Sequence, residues 1–183
     1  MPHYRRFHPP GATWFFTVNL AERRGNHLLV ENIDALRSAF RRVRERRPFQ
    51  VEAAVILPDH LHCIWRLPDG DGDFSIRWNL IKGGFSRRMG KKERISQSRG
   101  KRRERGVWQR RFWAHLLRDQ ADFNRHVAYI HYNPVKHGWV TRVVDWPHSS
   151  FHRFVARGVY SSAWGGGMAP AVENAGEAEG YGE

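Results

Sequence analysis

Residues 49–67, FQVEAAVILPDHLHCIWRL, hold two runs rich in β-branched and aromatic residues on either side of Pro58-Asp59. Runs of this kind joined by so short a turn pair as an antiparallel hairpin. A chain containing that hairpin must extend it into a sheet and cover at least one face with other elements. With 183 residues, there is room for one domain with a real core and not for two comfortable ones.

The covering elements are legible on either side. ATWFFTVNL, residues 12–20, reads as a strand. Ile33, Leu36, Phe40 and Val43 recur at helical spacing, giving a basic amphipathic helix over 33–47 with Asn32 as N-cap and Pro48 as stop. Residues 75–90 form a second expected helix, with Ser75 as cap and Ile76, Leu80 and Ile81 facing inward. KKERISQSRGKRRERG has almost no apolar content and is expected to be a mobile loop. VWQRRFWAHLL is a fourth strand or its approach, residues 119–133 a helix ended by Pro134, and DWPHSSFHRF a packed coil. The order strand, helix, two strands, helix, strand, helix predicts an α+β domain with helices packed on a central antiparallel sheet. It is expected to span residues 1–160, with 161–183 a disordered acidic tail of Gly, Ala and Glu.

Charge bears on the partner. Lys and Arg number 31 against 18 Asp and Glu, a formal net charge of +13. Clustered cations gain affinity for polyanions by releasing counterions condensed on phosphates, so nucleic acid is the expected partner. Aromatics interleaved with these cations, as in SIRWNLIKGGFSRR and GVWQRRFW, suit stacking on unpaired bases; most of the eight Trp are nonetheless assigned to the core. Cys63 is the sole cysteine, which excludes an intrachain disulfide and a cysteine-cluster zinc site. Neither a signal peptide nor an apolar run of membrane-spanning length is present, and a cytoplasmic, nucleoid-associated protein with no membrane partner is expected.

Alternate residues of a strand point the same way, so His60 and His62 project together while Leu61, Cys63 and Trp65 face the other side. Two imidazoles on a rigid strand make half of a divalent metal site, although an H-x-H pair also arises by chance among eleven histidines. On the 119–133 helix, Phe123, Val127 and Ile130 form an apolar stripe, with Tyr129 and Asn133 together on its flank. Docked by that stripe, the helix would aim a phenol and an amide at the histidines. Equally, Tyr129 could be a boundary core residue and Asn133 a helix end. Tyr132, about 100° beyond Asn133, should face away.

PDHLHCIW, WQRRFW, YIHYNPVKHG and DWPHSSFHR, in this order, resemble the REP-associated tyrosine transposases, domesticated relatives of the single-tyrosine HUH transposases. The similarity spans roughly residues 4–155. It implies a ferredoxin-like fold, Tyr129 as nucleophile, and a Mg²⁺ or Mn²⁺ held by His60, His62 and Asn133, the last standing where some HUH enzymes carry Gln or Glu. It further implies single-stranded DNA hairpins of repetitive extragenic palindromes as substrate, cleaved and rejoined through a 5′-phosphotyrosine, by a monomer rather than a dimer. Phosphate contacts are expected from Arg87, Arg88, Arg110 and Arg111, and contacts to the bases flanking the hairpin from Tyr4, Arg5 and Arg6. The chemistry is coherent: a phenol ordinarily titrates near about 10, so it needs help at neutral pH, and a divalent cation polarises the phosphate. The covalent bond conserves the energy for rejoining. His126, one turn before Tyr129, is one candidate to take the phenolic proton.

Two other readings use the same surface: a hairpin-binding regulator with no chemistry, and a metal-dependent phosphohydrolase that activates water. A histidine-triad hydrolase needs H-x-H-x-H, and position 64 is Ile.

Overall fold

In a computed structural model of the chain, which describes residues 9–91, 95, 97–101 and 105–166, four strands form one antiparallel sheet in the order β2-β3-β1-β4. β1 is Thr13–Asn19, β2 Gln50–Ile56, β3 His60–Arg66 and β4 Trp113–Leu116. The hairpin forms as expected: Ile56 lies opposite Leu61, and the Leu57 amide donates to the His60 carbonyl at 2.9 Å. β1 sits between β3 and β4, with Thr17 opposite His62 and Asn19 opposite His60. With α2 (Ile33–Arg46) and α3 (Phe74–Ser86) on one face and α5 (Gln120–Lys136) on the other, the fold is ferredoxin-like α+β. Short helices α1 (Leu28–Glu31), α4 (Gln97–Lys101) and α6 (Phe151–Ala156) complete it.

The period of two along β3 sorts its side chains between two cores. Leu61, Cys63 and Trp65 enter the larger one with Trp14, Phe16, Leu36 and Phe85. There Trp65 stacks on Trp78 with ring centroids 4.3 Å apart, and truncating either ring would cost roughly 3–5 kcal/mol. Ile64 joins Phe15, Val55, Val127 and Ile130 in the smaller core beneath α5. Four of the eight Trp, at 14, 65, 78 and 108, are buried, whereas Trp139 is 42% exposed.

Local expectations fail where two signals compete. The cap of α3 is Asp73, whose carboxylate accepts the Ile76 amide at 3.0 Å, and not Ser75. Trp78 and Ile81 take the inward face of that helix, leaving Leu80 43% exposed. Asn32 precedes α2 without capping it, because its side-chain amide donates to the Leu28 carbonyl at 2.9 Å. Pro134 lies inside α5. In the last turn its missing N–H removes a single bond, and the helix stops instead at Gly138, φ +70°, where the Trp139 and Gly138 amides donate to the Pro134 and Val135 carbonyls.

The basic stretch after α3 is not wholly a loop. It contains α4, and Arg105 donates to the carbonyls of Ser86, Met89 and Gly90 while Arg99 donates to those of Arg105 and Trp108. The expected coil at 145–154 ends in α6, and its preceding segment hydrogen-bonds along the β2 edge, from the Ile56 amide to His148 and from the Ser150 amide to Ala54. Trp164, past the expected domain boundary, stacks on Tyr160 at 4.7 Å. The remainder of the expected tail lies outside the described residues.

Candidate active site

His60 and His62 share the α5 face of β3, and both are buried. Their ring centroids are 5.0 Å apart. Each ring is held through Nδ1: His60 by Asp59 Oδ1 at 2.6 Å, His62 by Thr17 Oγ1 at 2.8 Å. Anchoring one nitrogen fixes ring orientation and turns Nε2 outward as the coordinating atom. Asp59 also accepts from Arg23 Nε at 2.7 Å. Burial alone would raise its carboxyl, but His60 and then Arg23 bring it down to about 2, so it stays ionised beside the ring.

α5 brings the phenol. Val127 and Ile130 are buried against the sheet and Phe123 packs at the margin, as the stripe predicts. Tyr129, 5% exposed, faces His62 with centroids 5.2 Å apart and rings inclined at 74°. Lys136 Nζ lies 5.3 Å from the centre of the Tyr129 ring. Asn133, one turn on from Tyr129, is fully buried. Tyr132 turns elsewhere, towards the Gly165 turn.

The donors suit a divalent cation. His62 Nε2 and both side-chain polar atoms of Asn133 are buried without a protein hydrogen-bond partner, a costly condition unless a ligand satisfies them. Burial first, then the charges of His60, His137, Lys136 and Arg23, hold His62 well below its ordinary value. The ring is therefore neutral at physiological pH, the form that coordinates a metal.

Sequence reasoning overlooked four neighbours. Asp59 reads only as a turn residue, although its place directly before His60 is visible in PDHLH. Thr17 meets His62 through a strand register spanning 45 residues, which no local pattern reveals. His137, whose ring lies 5.2 Å from His60, is pushed down to about 4 by burial and then by the charges of His60 and Lys136, against the pull of Asp59. Lys136 stands beside it in the quoted YIHYNPVKHG.

The expected DNA-contacting residues divide. Arg110 and Arg111 are exposed just after Gln109, whose amide donates to the Asn19 carbonyl, at the same end of the sheet as His60. Lys82 Nζ ties this segment to α3 through the Gln109 carbonyl at 2.6 Å. Arg87 and Arg88 are exposed at the end of α3. Tyr4, Arg5 and Arg6 lie outside the described residues. His126, one turn before Tyr129, packs on Phe15 with ring centroids 4.7 Å apart and stacks on His115 of β4 at 4.9 Å. Among the described residues no helix is long and apolar enough to cross a membrane.

Known proteins resemble the chain over most of its length. Residues 14–133 match the family model for IS200-like transposases. A REP-associated tyrosine transposase of Escherichia coli K12 is 49% identical over 166 residues, 91% of this chain and 92% of the relative. A candidate of the same kind from Haemophilus influenzae is 46% identical over 167 residues, covering 91% and 94%. Among solved structures, a REP-associated tyrosine transposase bound to a REP hairpin superposes with a TM-score of 0.78 at 46% identity, covering 97% of this chain and 98% of that one.

Proposed function

The chain belongs to the IS200-like transposases, and within them to the REP-associated tyrosine transposases; from that premise we propose that it cleaves and rejoins single-stranded DNA at palindromic-repeat hairpins, using Tyr129 as nucleophile. The observation that carries the reading is the Tyr129 ring 5.2 Å from His62, whose buried Nε2 has no protein partner.

Tyr129 Oη attacks the scissile phosphorus and the bond from phosphorus to the 3′ oxygen breaks, giving a 5′-phosphotyrosine and a free 3′-OH. The phenolic proton leaves to solvent, and the departing 3′ oxygen takes one from solvent. His60, His62 and Asn133 would hold Mg²⁺ or Mn²⁺, and the bound ion supplies Lewis acidity at the phosphate. Asp59 and Thr17 keep the two imidazoles oriented, and the Lys136 ammonium favours negative charge at the phenol. Reversal by an incoming 3′-OH reseals the strand, because the phosphotyrosine conserves the energy of the broken bond. Because His62 and Tyr129 meet within a single chain, the proposed acting form is a monomer. Arg87, Arg88, Arg110 and Arg111 are proposed to bind phosphates, and Tyr4, Arg5 and Arg6 the bases flanking the hairpin.

The test is to incubate the protein with end-labelled single-stranded hairpins from repeats of its own genome and Mg²⁺ or Mn²⁺, then look for label that survives denaturing electrophoresis with the protein. Label present with wild type and absent with Tyr129→Phe, His62→Ala or chelator is the expected result. Tight hairpin binding without adduct under both metals would instead establish a non-catalytic binder. Adduct or cleavage that persists in Tyr129→Phe would indicate a water-activating hydrolase.

A further inference from the structure

On the same face of α5 as Tyr129 and Asn133, but nearer the N-terminus of the helix and β4, three side chains of metal-ligating type converge apart from the ligands of the proposed active site. His115 comes from β4, and Asp122 and His126, spaced i and i+4, from the first two turns of α5. One ligand atom from each lies within 4.8 Å of the others. The Asp122 side chain is 3% exposed, that of His126 4% and that of His115 28%. From these positions we propose that His115, Asp122 and His126 form a second divalent-metal site, of zinc type, that clamps the edge strand β4 to the helix carrying Tyr129.

Three observations support it. His115 Nε2 and Asp122 Oδ2 are 3.1 Å apart, close to the edge of about 3.3 Å in a tetrahedron with bonds near ~2.0 Å. His126 Nδ1 lies 2.8 Å from the Asp122 carbonyl oxygen and 3.2 Å from Asp122 Oδ1, so this ring is turned to the same carboxylate that His115 meets. Asp122 is not needed as a helix cap, since Asp119 already accepts the Asp122 amide. Burial opposes ionisation of Asp122, yet the hydrogen bonds from His115 and the Arg118 amide, with the charges of His115 and His126, hold it at about 2.

Two imidazoles and one carboxylate leave the fourth tetrahedral position to water through the partly exposed His115 side. The set suits Zn²⁺ better than Mg²⁺, which favours oxygen ligands. Arg125 and Arg118 also approach Asp122, at 3.0 Å and 3.7 Å, but their side chains are 54% and 73% exposed. Both can return to solvent at small cost when a dication replaces them.

The experiment uses the full chain carrying His60→Ala and His62→Ala, which removes the proposed active-site ligands. This variant is dialysed against Zn²⁺, its bound metal is quantified, and its melting temperature is followed; Co²⁺ serves as an absorbing substitute. Expected are about one equivalent of retained Zn²⁺ and a tetrahedral Co²⁺ spectrum. Adding His115→Gln, a change at a partly exposed edge position, should weaken retention by roughly tenfold or more and abolish the Zn²⁺-induced rise in melting temperature. Arg125→Ala, which removes a competitor for Asp122, should tighten binding. No retained metal in the active-site double variant, or retention indifferent to His115→Gln, overturns the proposal. Neither result bears on the covalent-adduct assay, whose ligands are different residues.

Discussion

Asp59 Oδ1 lies 2.6 Å from His60 Nδ1, and the other carboxylate oxygen takes Arg23 Nε at 2.7 Å. The turn of the central hairpin therefore supplies the residue that aims one of the three candidate metal ligands. Asp59→Asn keeps the shape and removes the charge that fixes the imidazole tautomer. The concentration of Mn²⁺ needed for half-maximal adduct formation should rise roughly 10–100-fold, while hairpin affinity in a gel-shift assay stays near wild type. An unchanged metal requirement would show that Asp59 only shapes the turn.

Thr17 plays the same part for His62, from the neighbouring strand. Thr17→Val is nearly isosteric and leaves a buried ring nitrogen without its partner, a change costing roughly 1–3 kcal/mol. The loss should be visible as a lower denaturant midpoint, accompanied by a higher metal concentration needed for half-maximal adduct formation. A variant as stable as wild type would mean that water reaches Nδ1 once the hydroxyl is gone.

Lys136 Nζ, 5.3 Å from the Tyr129 ring centre, places positive charge beside the proposed nucleophile. Lys136→Met should slow adduct formation roughly tenfold, the effect of about 1.4 kcal/mol in the barrier. If hairpin affinity falls by the same factor and single-turnover rate does not, Lys136 is a DNA contact and not an aid to the phenol.

Such pairings mark the boundary of what the sequence discloses. His60 and His62 could be set on one face because a strand alternates strictly, and Tyr129 beside Asn133 because a helix returns every 3.6 residues. Both periodicities are local, and the fold honours them. Thr17 and His62 are joined by strand order, which composition and spacing do not encode. At α3 the difficulty was competition: Asp71, Asp73 and Ser75 could all cap, and Arg77 decides by engaging Asp71, which leaves Asp73 to reach the Ile76 amide. Pro134 misled because its penalty belongs to helix interiors, whereas here the Gly138 turn was about to end the helix in any case.

Arg77 itself is a buried cation, 1% exposed. It donates to both Asp71 oxygens and to the carbonyls of Arg47, Pro48 and Asp73, so it joins the end of α2 to the start of α3. Arg77→Leu would strand those carbonyls and lower stability by roughly 3 kcal/mol in urea unfolding. Arg77→Lys should recover only part of that loss, since an ammonium cannot reproduce the planar fork. Full recovery by Lys would show that charge alone matters there.

His131 gives the fold a definable pH dependence. Its ring is fully buried, with Nε2 2.9 Å from Ser150 Oγ and Phe154 at 4.7 Å between ring centroids. Burial first, and then the charges of Arg153 and His152, push it down to about 3. The unfolded chain, with an ordinary imidazole near about 6.5, takes up the proton before the folded chain does. Stability is therefore complete above pH ~6.5 and declines as pH falls towards ~3, by up to about 1.4 kcal/mol per pH unit from this group. His62 and His137 titrate in the same direction, so the wild-type profile alone does not isolate His131. The comparison that does is His131→Gln, which keeps a hydrogen-bonding group for Ser150 and removes the titration. Its urea stability should start lower at pH 7.5 and converge on wild type by pH ~4.5, a flatter slope by roughly 1 kcal/mol per pH unit; parallel profiles would place the acid sensitivity in other groups.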